Sequence, residues 1–190
     1  MEVLELNNKN YKEVLRISAK AIKDGKVLVC PTDTVYGLVC DFYNKKAVDK
    51  IYKIKKRPKS KLLPIFIKDI KMVKNFIKIN KNQEKFLKKI WPGAITVVLE
   101  KNKNAFRIPK NKFILDLIKK ASCPLAETSA NISGKAPAMD LKEIMSYFKN
   151  RKIKPDLVIS SGKLKKSKPS KIIDLTVFPF KIIRKWKLLE

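Results

Sequence analysis

Five residues, Arg16, Arg57, Arg107, Arg151 and Arg184, are the only arginines in a chain whose other basic residues, out of 45, are all lysine. A planar guanidinium grips a carboxylate or phosphate with two parallel bonds, which a lysine ammonium does not reproduce. Arg107 sits in the apolar run Phe106-Arg107-Ile108, and Arg184 follows Ile182-Ile183, so both read as strand residues. Arg57 lies after a helical pattern, in Lys55-Lys56-Arg57-Pro58. A strand arginine that faces a cleft binds an anionic ligand; one at a sheet edge pairs with a carboxylate. Position alone leaves both open.

Hydroxyls gather in three places. Pro31-Thr32-Asp33-Thr34-Val35-Tyr36-Gly37-Leu38 carries no positive charge and directly follows the apolar Val27-Leu28-Val29-Cys30. Thr128-Ser129-Ala130-Asn131-Ile132-Ser133-Gly134 combines small side chains with several donors, so a phosphate could approach its backbone closely. Ser170, between Pro169 and Lys171, is similar in character. Each stretch could equally be an N-cap or an ordinary turn, which Ser, Thr and Asn readily form. There is no GxxxxGK[ST] and no GxGxxG, so a nucleotide would have to be held by another arrangement.

The chain has no histidine. That removes Ser-His-Asp and Cys-His nucleophile systems and every imidazole-ligated metal site. What remains is acid–base work by carboxylate, lysine or tyrosine, or catalysis by positioning and charge neutralisation, which suits phosphate chemistry. Three cysteines, Cys30, Cys40 and Cys123, have no paired spacing, which favours reduced thiols in a cytoplasm over a disulfide framework or zinc cluster. A net charge of +28 raises the prospect of a nucleic-acid partner, yet lysine is spread through almost every segment. The densest runs are Lys45 to Lys61 and Lys163 to Lys171.

The elements that must position these groups follow from periodicity. Tyr11, Val14, Leu15, Ala19 and Ile22 predict an amphipathic helix over 9–24, stopped at Gly25. Further helices are expected through Ala47 to Ile54, over 69–78 and 83–90, from Phe113 to Lys120, and from Leu141 to Phe148. Strands are expected at Val27–Cys30, Pro64–Ile67, Ile95–Leu99, Phe106–Ile108, Leu157–Ile159, Ile172–Leu175 and Lys181–Arg184. Pro124-Leu125-Ala126 should lead into a loop at Thr128. Strands interleaved with helices mean an α/β fold with a mixed sheet. At 190 residues and 45% hydrophobic, one domain over 1–190 is expected. No apolar run is long enough to cross a bilayer, and Met1-Glu2-Val3-Leu4-Glu5 is unlike a secretory signal.

Taken in order, the hydroxyl stretch 31–38, Lys55-Lys56-Arg57-Pro58, Trp91-Pro92-Gly93-Ala94-Ile95-Thr96, Arg107-Ile108-Pro109, the stretch 128–134, and Pro169-Ser170-Lys171-Ile172-Ile173-Asp174 with Ile182-Ile183-Arg184 resemble the YrdC-like L-threonylcarbamoyladenylate synthases. The resemblance spans about residues 10–187 and is closest to the short single-domain form. It implies a YrdC-like fold, an open, twisted mixed sheet with flanking helices and a concave basic face. The implied activity joins L-threonine, bicarbonate or CO2 and ATP, with Mg2+ assisting, into threonylcarbamoyl-AMP and pyrophosphate. A separate tRNA threonylcarbamoyl-transferase complex would use that product.

By the same resemblance, Thr34, Arg107 and Ser170 would bind L-threonine, with Arg107 on its carboxylate. Arg57, Lys61, Thr128, Ser129, Asn131 and Arg184 would bind ATP, with Lys55 and Arg57 as catalytic cations. Four positions depart from the family pattern: Phe66 in place of a histidine, Glu127 at a small apolar position, Leu62 in place of a proline, and Ala136-Pro137-Ala138 in place of Ser-Pro-Thr. The rival function is a non-catalytic module that binds double-stranded RNA or tRNA on the same face. A carbamoyl-transfer domain of the hydrogenase-maturation kind would share the fold, but no accompanying zinc-finger or acylphosphatase-like segment is present.

Overall fold

Alternating apolar side chains on short strands oblige a sheet to be covered on both faces, and this chain follows that rule. Among the described residues ten strands form one sheet. They are β1 (Glu2–Glu5), β2 (Leu28–Cys30), β3 (Gly37–Asp41), β4 (Ile65–Phe66), β5 (Ile95–Val98), β6 (Ala105–Arg107), β7 (Leu125–Ser129), β8 (Leu157–Ser160), β9 (Lys171–Asp174) and β10 (Lys181–Arg184). Among the described residues six helices flank it: α1 (Tyr11–Lys23), α2 (Lys45–Lys55), α3 (Ile70–Lys74), α4 (Lys81–Ile90), α5 (Lys112–Ala121) and α6 (Leu141–Phe148). The computed structural model describes residues 1–100, 105–165, 167–177 and 179–184, with Arg184 described by its backbone alone.

The strand order is β1-β8-β2-β3-β7-β4-β6-β5-β9-β10. β1/β8, β8/β2, β4/β6 and β5/β9 pair in parallel, and the other neighbours are antiparallel, so the sheet is mixed as expected. Side chains on β2, β3 and β8 part by alternation. Leu28, Cys30, Val39, Leu157 and Ile159 meet α1 and α5 through Val14, Ile22, Ile114 and Leu117. Val29, Leu38, Cys40 and Val158 meet α2 and α6 through Ile51, Ile54, Ile144 and Phe148. A third core joins Val73 and Leu87 to Ile65, Val97 and Phe106. Each fully buried Leu, Ile or Phe here contributes roughly 1.5–3 kcal/mol of transfer free energy.

The helices start where side chains cap them. Asn44 accepts from Ala47 N–H, Asn111 from Ile114 N–H, and Asn80 with Gln83 forms a capping box. Gly25, with φ +73, ends α1 where the sequence predicted a stop.

Three strands depart from the expectation. β1 was not anticipated, because Glu2-Val3-Leu4-Glu5 is an edge strand with its ends exposed. β3 takes up Gly37 and Leu38 from the hydroxyl stretch, and Thr128 and Ser129 are the last residues of β7 rather than loop. β7 is polar at Glu127, Thr128 and Ser129, yet it lies between β3 and β4, and both neighbours satisfy its backbone.

All three cysteines are buried free thiols, and burial pushes the Cys123 thiol up to about 12. Among the described residues no helix is long and apolar enough to cross a membrane.

Candidate active site

A cavity of about 520 Å³ opens over the β7–β4–β6–β5–β9 side of the sheet. Its wall brings together Thr34 from the turn before β3, Arg57 after α2, Arg107 at the end of β6, Thr128 and Ser129 at the end of β7, and Ser170 before β9. These residues are spread over more than 130 positions in sequence, and the sequence had singled out all of them. Four other selected residues are placed differently. Lys55 and Asn131 are buried behind the wall, Lys61 is exposed off it, and the side chain of Arg184 lies outside the described residues.

Arg107 is the most constrained of the set, with 2% of its side chain exposed. Its Nη2 donates to Asp33 Oδ1 at 2.7 Å, its Nε donates to the Gly93 carbonyl at 2.9 Å, and its Cζ lies 5.6 Å from the Phe66 ring centroid. Nη1 approaches Thr34 Oγ1 at 3.5 Å. Phe66, which departs from the family pattern, is thus a fully buried floor beneath the guanidinium, at cation–π distance. Gly93 cannot readily carry a side chain, because a Cβ there would stand 2.9 Å from the Ile90 carbonyl oxygen. Asp33 and Gly93 were not picked out from sequence as site residues, since their role appears only when β6 brings Arg107 beside them.

Lys55 is not among the residues that line the cavity, and its ammonium bonds to the protein itself. It donates to Ser129 O and Asn131 Oδ1, both at 2.7 Å, and also contacts Ser129 Oγ at 3.2 Å and Asn131 O at 3.3 Å. Ser129 Oγ in turn donates to Asn131 Oδ1 at 2.7 Å. Lys55 therefore pins the turn after β7 from its buried place beside Ser129, which does line the cavity. Burial lowers it from its ordinary 10.5 to about 8, opposed by the Glu127 carboxylate and assisted by Arg57. Glu127 is the acidic residue on the cavity wall, and Lys55 supplies charge against it.

Arg57 bends back over its own loop, with Nε donating to Lys61 O at 2.8 Å and Nη2 to Leu62 O at 3.0 Å. Lys61 contributes its backbone here, while its side chain points to solvent. Ser170 Oγ shares a hydrogen bond of 2.9 Å with buried Thr96.

The neutral stretch 31–38 divides its work. Thr32 Oγ1 donates to Val35 O and accepts from Thr34 N–H, which fixes the turn that presents Thr34. Ser167 Oγ donates to the Thr34 carbonyl from the opposite side. Tyr36 leaves the cavity altogether: it is fully buried, and its hydroxyl donates to Gly162 O at 2.6 Å. Ala138, in the departing Ala-Pro-Ala run, joins Tyr36 and Ala130 through its backbone.

The sequence profile described as "Telomere recombination" (Sua5_yciO_yrdC) matches residues 20–185. The chain belongs to this Sua5/YciO/YrdC family. A Methanocaldococcus jannaschii relative is 37% identical over 185 residues, covering 92% of this chain and 86% of its own. The threonylcarbamoyl-AMP synthase of Pyrococcus abyssi is 32% identical over 183 residues, covering 90% of this chain. The structure of P. abyssi Sua5 complexed with L-threonine superposes with a TM-score of 0.86 at 30% identity over 98% of this chain. The chain spans 53% of the P. abyssi synthase and 57% of the chain in that complex. Within the Sua5/YciO/YrdC fold, the cavity lies where β6, β7 and β9 deliver their polar ends to one place.

Proposed function

We propose that this chain is an L-threonylcarbamoyl-AMP synthase. The reaction needs two anions aligned, the carbamate of threonine and the α-phosphate of ATP, and no covalent enzyme intermediate. A carbamate oxygen attacks the α-phosphorus, and the bond to pyrophosphate breaks. A protein without histidine can do this by holding both partners and neutralising the leaving group.

The observation that carries the reading is that one cavity gathers two chemically different sets of groups on its wall. Thr34, Arg107 and Ser170 supply hydroxyls and a guanidinium suited to an amino acid; Arg57, Thr128 and Ser129 supply cation and small donors suited to phosphates. Mg2+ would enter with ATP. The cavity wall offers Glu127, and one carboxylate with phosphate oxygens suits that ion, so Glu127 is the residue that would hold it. Bound there, it would neutralise charge on pyrophosphate.

Residues 1–190 read as one domain, which the single continuous sheet supports. A reducing cytoplasm suits the three buried free thiols. The product would pass to a separate tRNA threonylcarbamoyl-transferase complex.

The test is nucleotide product analysis with ATP, Mg2+, L-threonine and bicarbonate, each omitted in turn. Pyrophosphate and threonylcarbamoyl-AMP are expected only from the complete mixture. Folded protein that forms neither would sink the reading and favour the RNA-binding module, whose affinity should fall steeply with salt.

A further inference from the structure

Arg57 and Arg107 line the same cavity but differ in what they donate to. Arg57 donates to two carbonyl oxygens, which orient it and carry no formal charge. Arg107 donates to a carboxylate, Asp33, and the pair is almost closed off, with 2% and 11% of the two side chains exposed. Asp33 is itself fixed, because its Oδ2 accepts from Lys110 N–H at 3.0 Å. With Gly93 O on Nε and the Phe66 ring beside it, the guanidinium is held along three sides and offers its Nη1 region, next to Thr34 Oγ1.

We propose that Asp33 sets the ligand class of this end of the cavity: it positions Arg107 and cancels its charge, so that the end accepts the single carboxylate of an amino acid and turns away polyphosphate. A paired guanidinium still donates directional hydrogen bonds. What it loses is the long-range pull that draws a multiply charged anion, which in a low-dielectric pocket is the larger effect. In so basic a protein, an unpaired arginine here would capture ATP or pyrophosphate in the amino-acid subsite. The naming of L-threonine as the amino acid rests on the proposed function; the carboxylate-over-polyphosphate preference rests on the Asp33–Arg107 pair.

The experiment compares wild type with Asp33→Asn, which is isosteric and drops the charge, and Asp33→Ala, which drops charge and anchor. Titration with inorganic pyrophosphate alone is expected to show one site in wild type and a second in Asp33→Asn. L-threonine affinity should fall about tenfold in Asp33→Ala, where the anchor is lost, and less than about threefold in Asp33→Asn, which keeps an oxygen for Arg107. In kinetics, pyrophosphate should become competitive with threonine in Asp33→Asn only. Arg107→Ala should lower kcat/KM for threonine by about a hundredfold, and adding Asp33→Ala to it should cost less than about twofold more, because both act through one group.

Unchanged pyrophosphate stoichiometry in Asp33→Asn would overturn the proposal, as would an additive double variant. If Asp33→Ala does not fold, Asp33→Asn decides. If folded wild type binds no threonine, the functional reading fails on its own, and the pyrophosphate titration still decides the role of Asp33.

Discussion

Lys55 shows how much one buried charge can govern. Its ammonium has three protons, and four acceptors on Ser129 and Asn131 surround it. Desolvation brings it to about 8, so its proton leaves within the working range of an assay. Deprotonation removes a donor and the charge from the turn that ends β7, and kcat/KM for ATP should fall on an alkaline limb centred near that value. Stability should move the other way. The folded value lies below the unfolded one of 10.5, so between about 8 and 10.5 the unfolded chain binds more protons, and this group's contribution to stability rises with pH across that window. Glu127 raises Lys55, so Glu127→Gln should shift the limb to lower pH. A pH–rate profile from 6.5 to 9.5 on both proteins checks this; a wild-type profile flat through pH 8 would remove the assignment. Lysine count gave no hint of this, because Lys55 differs from its neighbours only in being 3% exposed.

At the scale of elements, helices were easier to read than strands, and the reason is local. α1, α2, α5 and α6 each bury one stripe, which shows as a 3.6-residue period. β3 and β7 have no such signature, since their polar ends serve the cavity and their pairing partners lie far away in sequence. Residue type alone left Thr34, Arg107, Ser129 and Ser170 open between a ligand site and ordinary caps or ion pairs; it was the order of the family motifs that grouped them, and the fold lines one cavity with all four. The pairing of Arg107 with Asp33, 74 positions away, was not legible, because it exists only in three dimensions. The junction of α2 with the Arg57 loop carries its own test. Lys56 there adopts φ 51, ψ 47, a left-handed conformation that costs a side-chain-bearing residue about 1–2 kcal/mol. It is exposed and off the cavity wall. Lys56→Gly should therefore stabilise the fold by about 1 kcal/mol, raising Tm by about 2–4 °C, with KM for ATP unchanged. A lower Tm would mean that the lysine side chain contributes more than its backbone costs.

For the whole molecule, the net charge of +28 is the dominant electrostatic fact. Several ion pairs, such as Lys20–Asp24, Lys59–Asp49 and Lys112–Asp116, involve mostly exposed lysines, and pairs of that kind are worth about 0–1 kcal/mol each. Folding compresses the excess positive charge into a smaller volume, and that repulsion acts over distances comparable with a Debye length of about 30 Å at 0.01 M salt. Raising salt to 0.2 M shortens the range below about 10 Å, so it should remove more repulsion than attraction. Thermal unfolding in sodium chloride should accordingly show Tm rising by several degrees between 0.01 and 0.2 M, at roughly 2–4 °C per kcal/mol for a chain of this size. The buried Asp33–Arg107 pair, shielded from solvent ions, should hold its geometry throughout. Threonine affinity should then change little over the same salt range, while the attraction of ATP to the charged Arg57 end weakens. A Tm that falls with salt would mean that the surface ion pairs outweigh the net charge, and would place the balance of this fold in its pairs rather than in its excess.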